Sequence, residues 1–346
     1  MSRYTILIIV FAGGISPSAL GQAHAPAWHM VYTPNHRAAF EQIWTYTFPG
    51  HESTRWFIAL RYPPDLAWSR RAEAKAELLT SSGWKPFRKV DEEGPEKRML
   101  TIDSPHNDPK LRHGFTIRTT LIATIYDQHL VRGRSARSIV PLTAHERENY
   151  LAATDTFDFN QPNVKKWMDE HKMWKAANEE PLTFVYRVYK ELRLRLPYNT
   201  GDGGRWVCSQ ILKAGFGECC RHGIVGTSIL RANKIPARTV CGLWAIDANS
   251  QGAHCWGEFF LEGVGWVPYD TTLDNGNQAS EAYFGHKAGE VLGGMVDFDW
   301  VIDAGPFGTQ KVFAIDAFPA YWSQGNGSMD NPKVETRTLV QIGLAR

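Results

Sequence analysis

Between Gly217 and Asp270 a cysteine, a histidine and an aspartate follow one another, each in its own well-marked setting. Cys219 stands in Gly217-Glu218-Cys219-Cys220-Arg221-His222-Gly223, His254 opens His254-Cys255-Trp256-Gly257-Glu258, and Asp270 closes Gly265-Trp266-Val267-Pro268-Tyr269-Asp270 ahead of Thr271. A thiol, an imidazole and a carboxylate are the parts of a nucleophile, its base and the group that orients the base. Taken singly, each has a plainer role: small buried hydrophobe, satisfied core histidine, turn or cap aspartate. Their joint occurrence, in order and each in context, is what points to chemistry.

The flanking residues predict how these groups are held. Gly217 allows a tight approach, and Cys219 falls at the mouth of a helix running through Ile224 to Ala232. Unpaired N–H groups and the macrodipole there favour negative charge, so the thiol, ordinarily at about 8.5, is expected to be primed for ionisation. Ile235-Pro236-Ala237-Arg238 then turns the chain into a strand of Thr239, Val240, Cys241 and Leu243, and Ala253 to Leu261 makes the next. Along that second strand His254, Trp256 and Glu258 share a face, which places His254 toward the helix mouth and Cys255 away from it. Asp270 ends a third strand, from which its carboxylate is positioned to accept the second ring N–H of His254.

These segments resemble the core of the transglutaminase-like superfamily, thiol enzymes with a papain-like α+β fold. The resemblance is carried by Gly217, Cys219, Leu230-Arg231-Ala232, Ile235-Pro236-Ala237-Arg238, His254 with Trp256 and Glu258, Gly265-Trp266 and Asp270-Thr271. Spacings of 35 residues from Cys219 to His254 and 16 from His254 to Asp270 fit it as well. It is close over about residues 198–284 and looser before, in the manner of secreted bacterial members. Two positions depart: the family usually has a polar or acidic residue directly after the nucleophile and alanine four residues after it, where this chain has Cys220 and Gly223. The helix start is therefore expected to be looser than usual. Cys220 competes as nucleophile, but the glycine two residues earlier and the distance to the Ile-Pro-Ala-Arg turn set the register on Cys219.

The resemblance implies an amide-acting enzyme. Cys219 attacks an amide carbonyl, His254 protonates the departing amine, and a thioester remains until water or an amine takes the acyl group, with peptide or amide hydrolysis placed ahead of transglutaminase-type transfer. The oxyanion falls to the Cys219 backbone N–H and one further donor, Trp206 or Gln210. Trp206, Trp244, Trp256 and Trp266 are candidates to line an acyl tunnel, or simply to pack. A catalytically inactive secreted binding or scaffold module of the same fold is the alternative.

Around this core the chain divides by texture. From Trp28 to about Arg137 it is rich in aromatic and β-branched residues, and Phe115, Ile117, Thr119, Leu121, Ala123 and Ile125 alternate with their neighbours as in a long half-buried strand. A small β-rich domain, a sandwich, is expected there, with a helix-like insert at Ala72 to Leu79 and a solvated linker at Arg132 to Arg137. Thr143-Ala144-His145-Glu146 is a capping box that starts a helix. Pro181 opens a second helix, with Phe184, Val188 and Leu192 on one face, and Pro197 closes it. After Phe284, Val296 to Val301 and Phe313 to Tyr321 are expected to finish the sheet, ending in a short strand at Thr336 to Ile342. The fold class is thus α+β, a papain-like, transglutaminase-like cysteine-protease core preceded by a β-rich domain, divided as residues 1–21, 22–137 and 138–346.

Residues 1–21 read as a signal peptide. Arg3 gives a positive start, Thr5 to Ala12 an apolar run too short to span a membrane, and Ser18-Ala19-Leu20-Gly21 a small-residue exit, which predicts a secreted or periplasmic protein with no membrane span after leader removal. With 346 residues, 43% of them hydrophobic, the chain is able to bury more than one core. A net charge of +2 makes no case for nucleic acid as partner, which leaves a protein or peptide substrate. In an oxidising compartment the five cysteines leave one over: Cys208, Cys220, Cys241 and Cys255 are able to form two bridges, with Cys241–Cys255 favoured as neighbours on paired strands, and Cys219 stays free. A grouping of Cys219, Cys220, His222, His254 and Cys255 as zinc ligands lacks a Cys-x-x-Cys pair, and no cofactor fingerprint is present, so no metal and no cofactor are expected.

Overall fold

The computed structural model describes residues 28–61, 66–91, 98–133, 138–201, 206–245, 252–273, 283–289, 291–296, 299–313 and 319–344. The expected leader, 1–21, and the linker residues 134–137 lie outside them. The first half is strand: β1 (Trp28–Thr47), β2 (His51–Arg61), β3 (Ser69–Thr80), β4 (Gly83–Pro86), β5 (Arg88–Asp91), β6 (Arg98–Asp103) and β7 (Gly114–Arg132). Helices follow: α1 (Ala144–Asn149), α2 (Pro162–Glu170), α3 (Pro181–Arg195), α4 (Cys208–Ala214) and α5 (Cys219–Ala232). Strands then return as β8 (Ala237–Trp244), β9 (Ala253–Leu261), β10 (Gly265–Tyr269), β11 (His286–Lys287), β12 (Val291–Val296), β13 (Asp299–Asp303), β14 (Thr309–Phe313), β15 (Ala320–Gly327) and β16 (Lys333–Leu344).

The β-rich region is a sandwich. One sheet runs β16-β1-β7-β3-β4 and the other β15-β2-β6-β5. Alternating side chains of β1 (Phe40, Trp44, Tyr46) and β7 (Phe115, Ile117) meet Trp56, Ile58 and Leu60 of β2 and Leu100 of β6 between them. The helix-like reading of Ala72 to Leu79 is corrected, since the whole segment lies in β3. Ala74, Ala76 and Leu78 are buried while Glu73, Lys75 and Glu77 face outward or lie half-buried, a period of two that pairing with β7 rewards. Helix propensity of alanine, glutamate and lysine yields to that pattern.

The end of the chain also differs from expectation. β15 pairs with β2 and β16 with β1, so these strands complete the sandwich and not the sheet that carries the candidate site. The physical reason is β1: 20 residues long and flanked by β7 on one edge, it needs a ladder along the other, and β16 supplies it from His36↔Leu344 to Thr47↔Lys333. The second sheet system is antiparallel in the order β10-β9-β8-β12. One face carries α5, whose Ile224, Val225 and Ile229 share a core with Phe184, Val188 and Leu192 of α3 and with Ala237, Cys241 and Phe259 of the sheet.

On the opposite face a buried ion pair ties the two parts together. Arg238 Nε donates to Glu258 Oε2 at 2.8 Å, the other carboxylate oxygen accepts Trp68 Nε1 at 2.9 Å from the sandwich region, and Arg238 stacks 3.9 Å over Trp266. Glu258 and Arg238 are on neighbouring register positions of β9 and β8, and β9 is the strand that carries His254. Replacing Glu258 by alanine leaves Arg238 buried without its counter-charge, and such a break costs about 3–5 kcal/mol. Urea unfolding of Glu258→Ala should show a loss of that size; a change under about 1 kcal/mol would show that the pair does not hold β8 and β9 in place.

Candidate active site

The entry to α5 is fixed by its backbone. Gly217 N–H donates to Pro197 O at 3.1 Å, its own carbonyl accepts Asn199 N–H at 3.0 Å, and a Cβ added at Gly217 would lie 2.6 Å from Arg221 Cβ, so only glycine fits. Glu218 follows as the extended N-cap residue and makes no side-chain cap, which leaves the first-turn N–H groups to other partners. Cys219 comes next, half-buried, its thiol free. The helix does not sit loosely as Gly223 had suggested. A Cβ on Gly223 would stand 2.6 Å from the Thr239 methyl and one on Gly226 2.5 Å from Tyr269 Oη, so the glycines let α5 press onto β8 and β10. Thr227 and Thr239 hydroxyls bond across that contact at 3.0 Å.

The expected priming of the thiol is not what the environment produces. Burial pushes the Cys219 thiol up to about 11, N–H groups of Cys255 and Cys220 donating to the sulfur offset part of this, and the negative charges of Asp270 and Glu218 push it up further. The helix mouth is outweighed. Glu218 is itself raised by burial, with Arg221 Nε 3.5 Å away as its counter-charge.

His254 and Asp270 are joined directly. Asp270 Oδ2 accepts His254 Nε2 at 2.6 Å, while Oδ1 accepts Thr272 N–H at 3.0 Å, the Thr272 hydroxyl at 2.9 Å and Leu273 N–H at 3.2 Å. Burial opposes ionisation of Asp270, but His254, Lys287 and the Thr272 N–H together hold its carboxyl well below the usual carboxylate range. An ionised carboxylate only accepts, so His254 carries a proton on Nε2, the nitrogen that faces Asp270, and Nδ1 is not engaged by that carboxylate. The imidazole is 4% exposed and stacks on Trp244, ring centroids 4.5 Å apart. Cys219 reaches the same strand one residue along, where its sulfur takes the Cys255 N–H.

Several expectations are corrected here. Cys255 does not point away from the helix: it shares the core beneath α5, and Cys219, Cys220 and Cys255 have sulfurs all within 4.8 Å of one another. Two bridges do not form. Cys208 is a buried free thiol pushed up to about 12 by burial, whereas the Cys255 sulfur lies within bonding reach of both Cys220 and Cys241, and one sulfur forms one disulfide at a time. Cys220, the rival nucleophile, is 4% exposed within this group. Of the zinc grouping, His222 bonds the Thr271 hydroxyl at 2.9 Å, burial lowering its imidazole to about 4, and His254 is committed to Asp270.

Among the tryptophans, Trp256 packs on Trp68 and Trp266 on Tyr150, while Trp206 stands 6.0 Å from the Arg221 guanidinium at the first turn of α5. Gln210 is exposed and lines a polar groove of about 570 Å³ with Asp155, Asp158 and Ser209. One residue was not foreseen: Lys287 of β11 is 2% exposed and brings Nζ to 3.4 Å from Asp270 Oδ2, between the rings of Trp244 and Trp256. No motif surrounds it, and its place depends on β11 pairing with β7.

Residues 172–271, from the end of α2 to just past Asp270, match the family described as the transglutaminase-like superfamily. The core of this chain is transglutaminase-like. No curated protein sequence matches the chain. Among solved structures, one described as a "putative cysteine protease" from Cytophaga hutchinsonii superposes with a TM-score of 0.55 at 15% identity, covering 90% of this chain and 93% of that one. The likeness therefore includes the sandwich and shows a shared fold. The periplasmic domain of TgpA from Pseudomonas aeruginosa, bound to ethylmercury (TM-score 0.33, 14% identity, 70% of this chain and 90% of that one), and red sea bream transglutaminase (0.28, 14%, 69% and 51%) are also similar. No helix among the described residues is long and apolar enough to cross a membrane.

Burial of the Cys219 thiol has a measurable consequence. With the sulfur at about 11, its reaction with iodoacetamide in the free protein should climb about tenfold per pH unit from pH 7 and level off above about 11, as the thiolate fraction does. Peptide mass spectrometry assigns the label to Cys219. A rate already flat between pH 7 and 9 would mean that a thiolate–imidazolium pair exists before substrate arrives.

Proposed function

We propose that this chain is a thiol enzyme acting on amide bonds of a protein or peptide, with Cys219 as nucleophile, His254 as base and acid, and Asp270 as the residue that orients His254. The observation that carries the reading is the His254–Asp270 bond at 2.6 Å, formed on the strand whose next residue donates its N–H to the Cys219 sulfur. Because the thiol is protonated at neutral pH, proton and sulfur move together: His254 Nδ1 takes the thiol proton as sulfur attacks the carbonyl carbon. Asp270 stays ionised and stabilises the imidazolium that forms. His254 then gives the proton to the departing amine, a thioester is left on Cys219, and water or a second amine takes the acyl group.

The Cys219 N–H and the Trp206 Nε1–H are the proposed oxyanion donors. Trp206 stands at the first turn of α5, whereas Gln210 belongs to the groove beside Asp158. Hydrolysis is placed ahead of transfer, since nothing in the chain marks a dedicated amine site. The protein is further proposed to act outside the cytoplasm, after loss of residues 1–21.

A second reading, a folded scaffold without turnover, draws on one observation, the thiol pushed up to about 11. Incubation with peptide libraries, with and without a primary amine, and product analysis by mass spectrometry separates the two. Cleaved peptides are expected, lost in Cys219→Ala and reduced about 10²–10⁴-fold in His254→Ala. Trp206→Phe should lower kcat about 10²–10³-fold with KM little changed. Amine incorporation outpacing hydrolysis would reverse the ordering of activities, no product from the wild-type chain would support the scaffold, and products made equally well by Cys219→Ala would remove Cys219 as the nucleophile.

A further inference from the structure

Four of the five cysteines meet where α5 abuts the sheet, and the proposed reaction uses one of them. Cys241 and Cys255 are register partners on β8 and β9, their Cα atoms 4.1 Å apart, and Cys220 comes down from α5 with its Cα 4.8 Å from that of Cys255. Cys220 and Cys241 bring their sulfurs to 3.5 Å of each other. Whichever of them Cys255 bonds, the other is left as a thiol beside the cystine. A structural cystine needs two sulfurs in a closed core. Here a third lies against it, and the sulfur of Cys219 forms part of a group with Cys220 and Cys255 that is no more than 4.8 Å across.

We propose that the Cys255 disulfide is exchangeable and that Cys219 is one of its partners, so that the nucleophile has a latent form in which it is bonded to Cys255. In the step, the Cys219 thiol gives up its proton and its sulfur attacks the Cys255 sulfur. The Cys219–Cys255 bond forms, the bond from Cys255 to Cys220 or Cys241 breaks, and the released sulfur takes the electron pair and a proton. One disulfide is present before and after, so no oxidant or reductant is consumed, and the reverse attack by the freed thiol restores Cys219. Burial of Cys219 keeps the thiolate scarce at neutral pH, which makes the exchange slow there and faster in alkali. The effect on turnover rests on Cys219 being the nucleophile; the exchange itself does not.

The test uses the full chain purified without reductant and incubated at pH 7 and pH 9. Exchange is stopped by denaturation in acid, free thiols are blocked by returning the denatured chain to neutral pH in a large excess of iodoacetamide, bridged ones are reduced and labelled with N-ethylmaleimide, and fragmentation of the peptide assigns each label to Cys219 or Cys220. The expected result is maleimide on a fraction of Cys219 that grows at pH 9, with a matching growth of the first label on Cys220 or Cys241. In Cys255→Ala the maleimide on Cys219 should disappear; in Cys220→Ser it should persist. Cys219 carrying only the first label in the wild type at both pH values would overturn the proposal, and so would a bridged Cys219 in Cys255→Ala. If that variant fails to fold, the wild-type measurement decides alone. A latent Cys219 together with unchanged peptide cleavage by Cys219→Ala would leave the exchange standing and remove the catalytic reading, so the two fail separately.

Discussion

The site depends on how one buried carboxylate divides its two oxygens. Asp270 gives Oδ1 to the turn at Thr272 and Leu273, which fixes its orientation by backbone geometry, and this frees Oδ2 to hold His254. A carboxylate that made only the imidazole contact would be free to rotate, and the imidazole with it. Two cations, His254 when protonated and Lys287, then compete for the same oxygen. Such crowding of charge in a closed space is tolerable because the anion lies between the two cations and its other oxygen is hydrogen-bonded. The orientation of His254 is thereby determined by three separate elements: β9, the turn after β10, and β11.

Packing and reactivity pull against each other at Cys219, the proposed nucleophile. Gly223 and Gly226 let α5 lie so close to the sheet that Thr239 and Tyr269 fill the space a methyl group would need, which fixes where Cys219 enters. The same closeness removes water from the sulfur, and desolvation of a thiolate costs more than one uncapped helix end returns. The favourable end of the macrodipole is a local effect of modest size, whereas burial acts on the whole charge. Hence a nucleophile placed accurately by a tight core is also one that needs a partner to take its proton.

Much of this was legible in the residues, and the reasons differ from element to element. The strands around His254 and Asp270 were readable because Ile235-Pro236 and Gly263-Val264-Gly265 punctuate apolar runs of strand length. The helix at Thr143 was readable from its capping box, whose two reciprocal bonds are present. Helices α2 and α4 were missed: each is short and has no side-chain cap, so the signal was confined to Pro162 at one start and Gly215 at one end. β3 was misread because composition was weighed above alternation. The placement of β15 and β16 in the sandwich had no local mark at all, since strand pairing across some 300 residues is decided by which edges remain unpaired. Lys287 belongs to the same class, being a residue whose meaning comes wholly from tertiary pairing.

The sulfur cluster follows from one residue choice. At position 255 the alternation of β9 puts a side chain under the first turn of α5, where an ordinary small apolar residue would only fill space. Cysteine fills it as well, but it also puts a sulfur in reach of Cys220, which lies on the same turn as Cys219, and of Cys241, its cross-strand neighbour. Disulfide chemistry there would couple the sheet to the helix at the turn that carries Cys219, the proposed nucleophile. The twin cysteines at 219 and 220 are therefore not equivalent: the helix leaves one half-buried and turns the other into the core, and the proposed exchange joins them through Cys255.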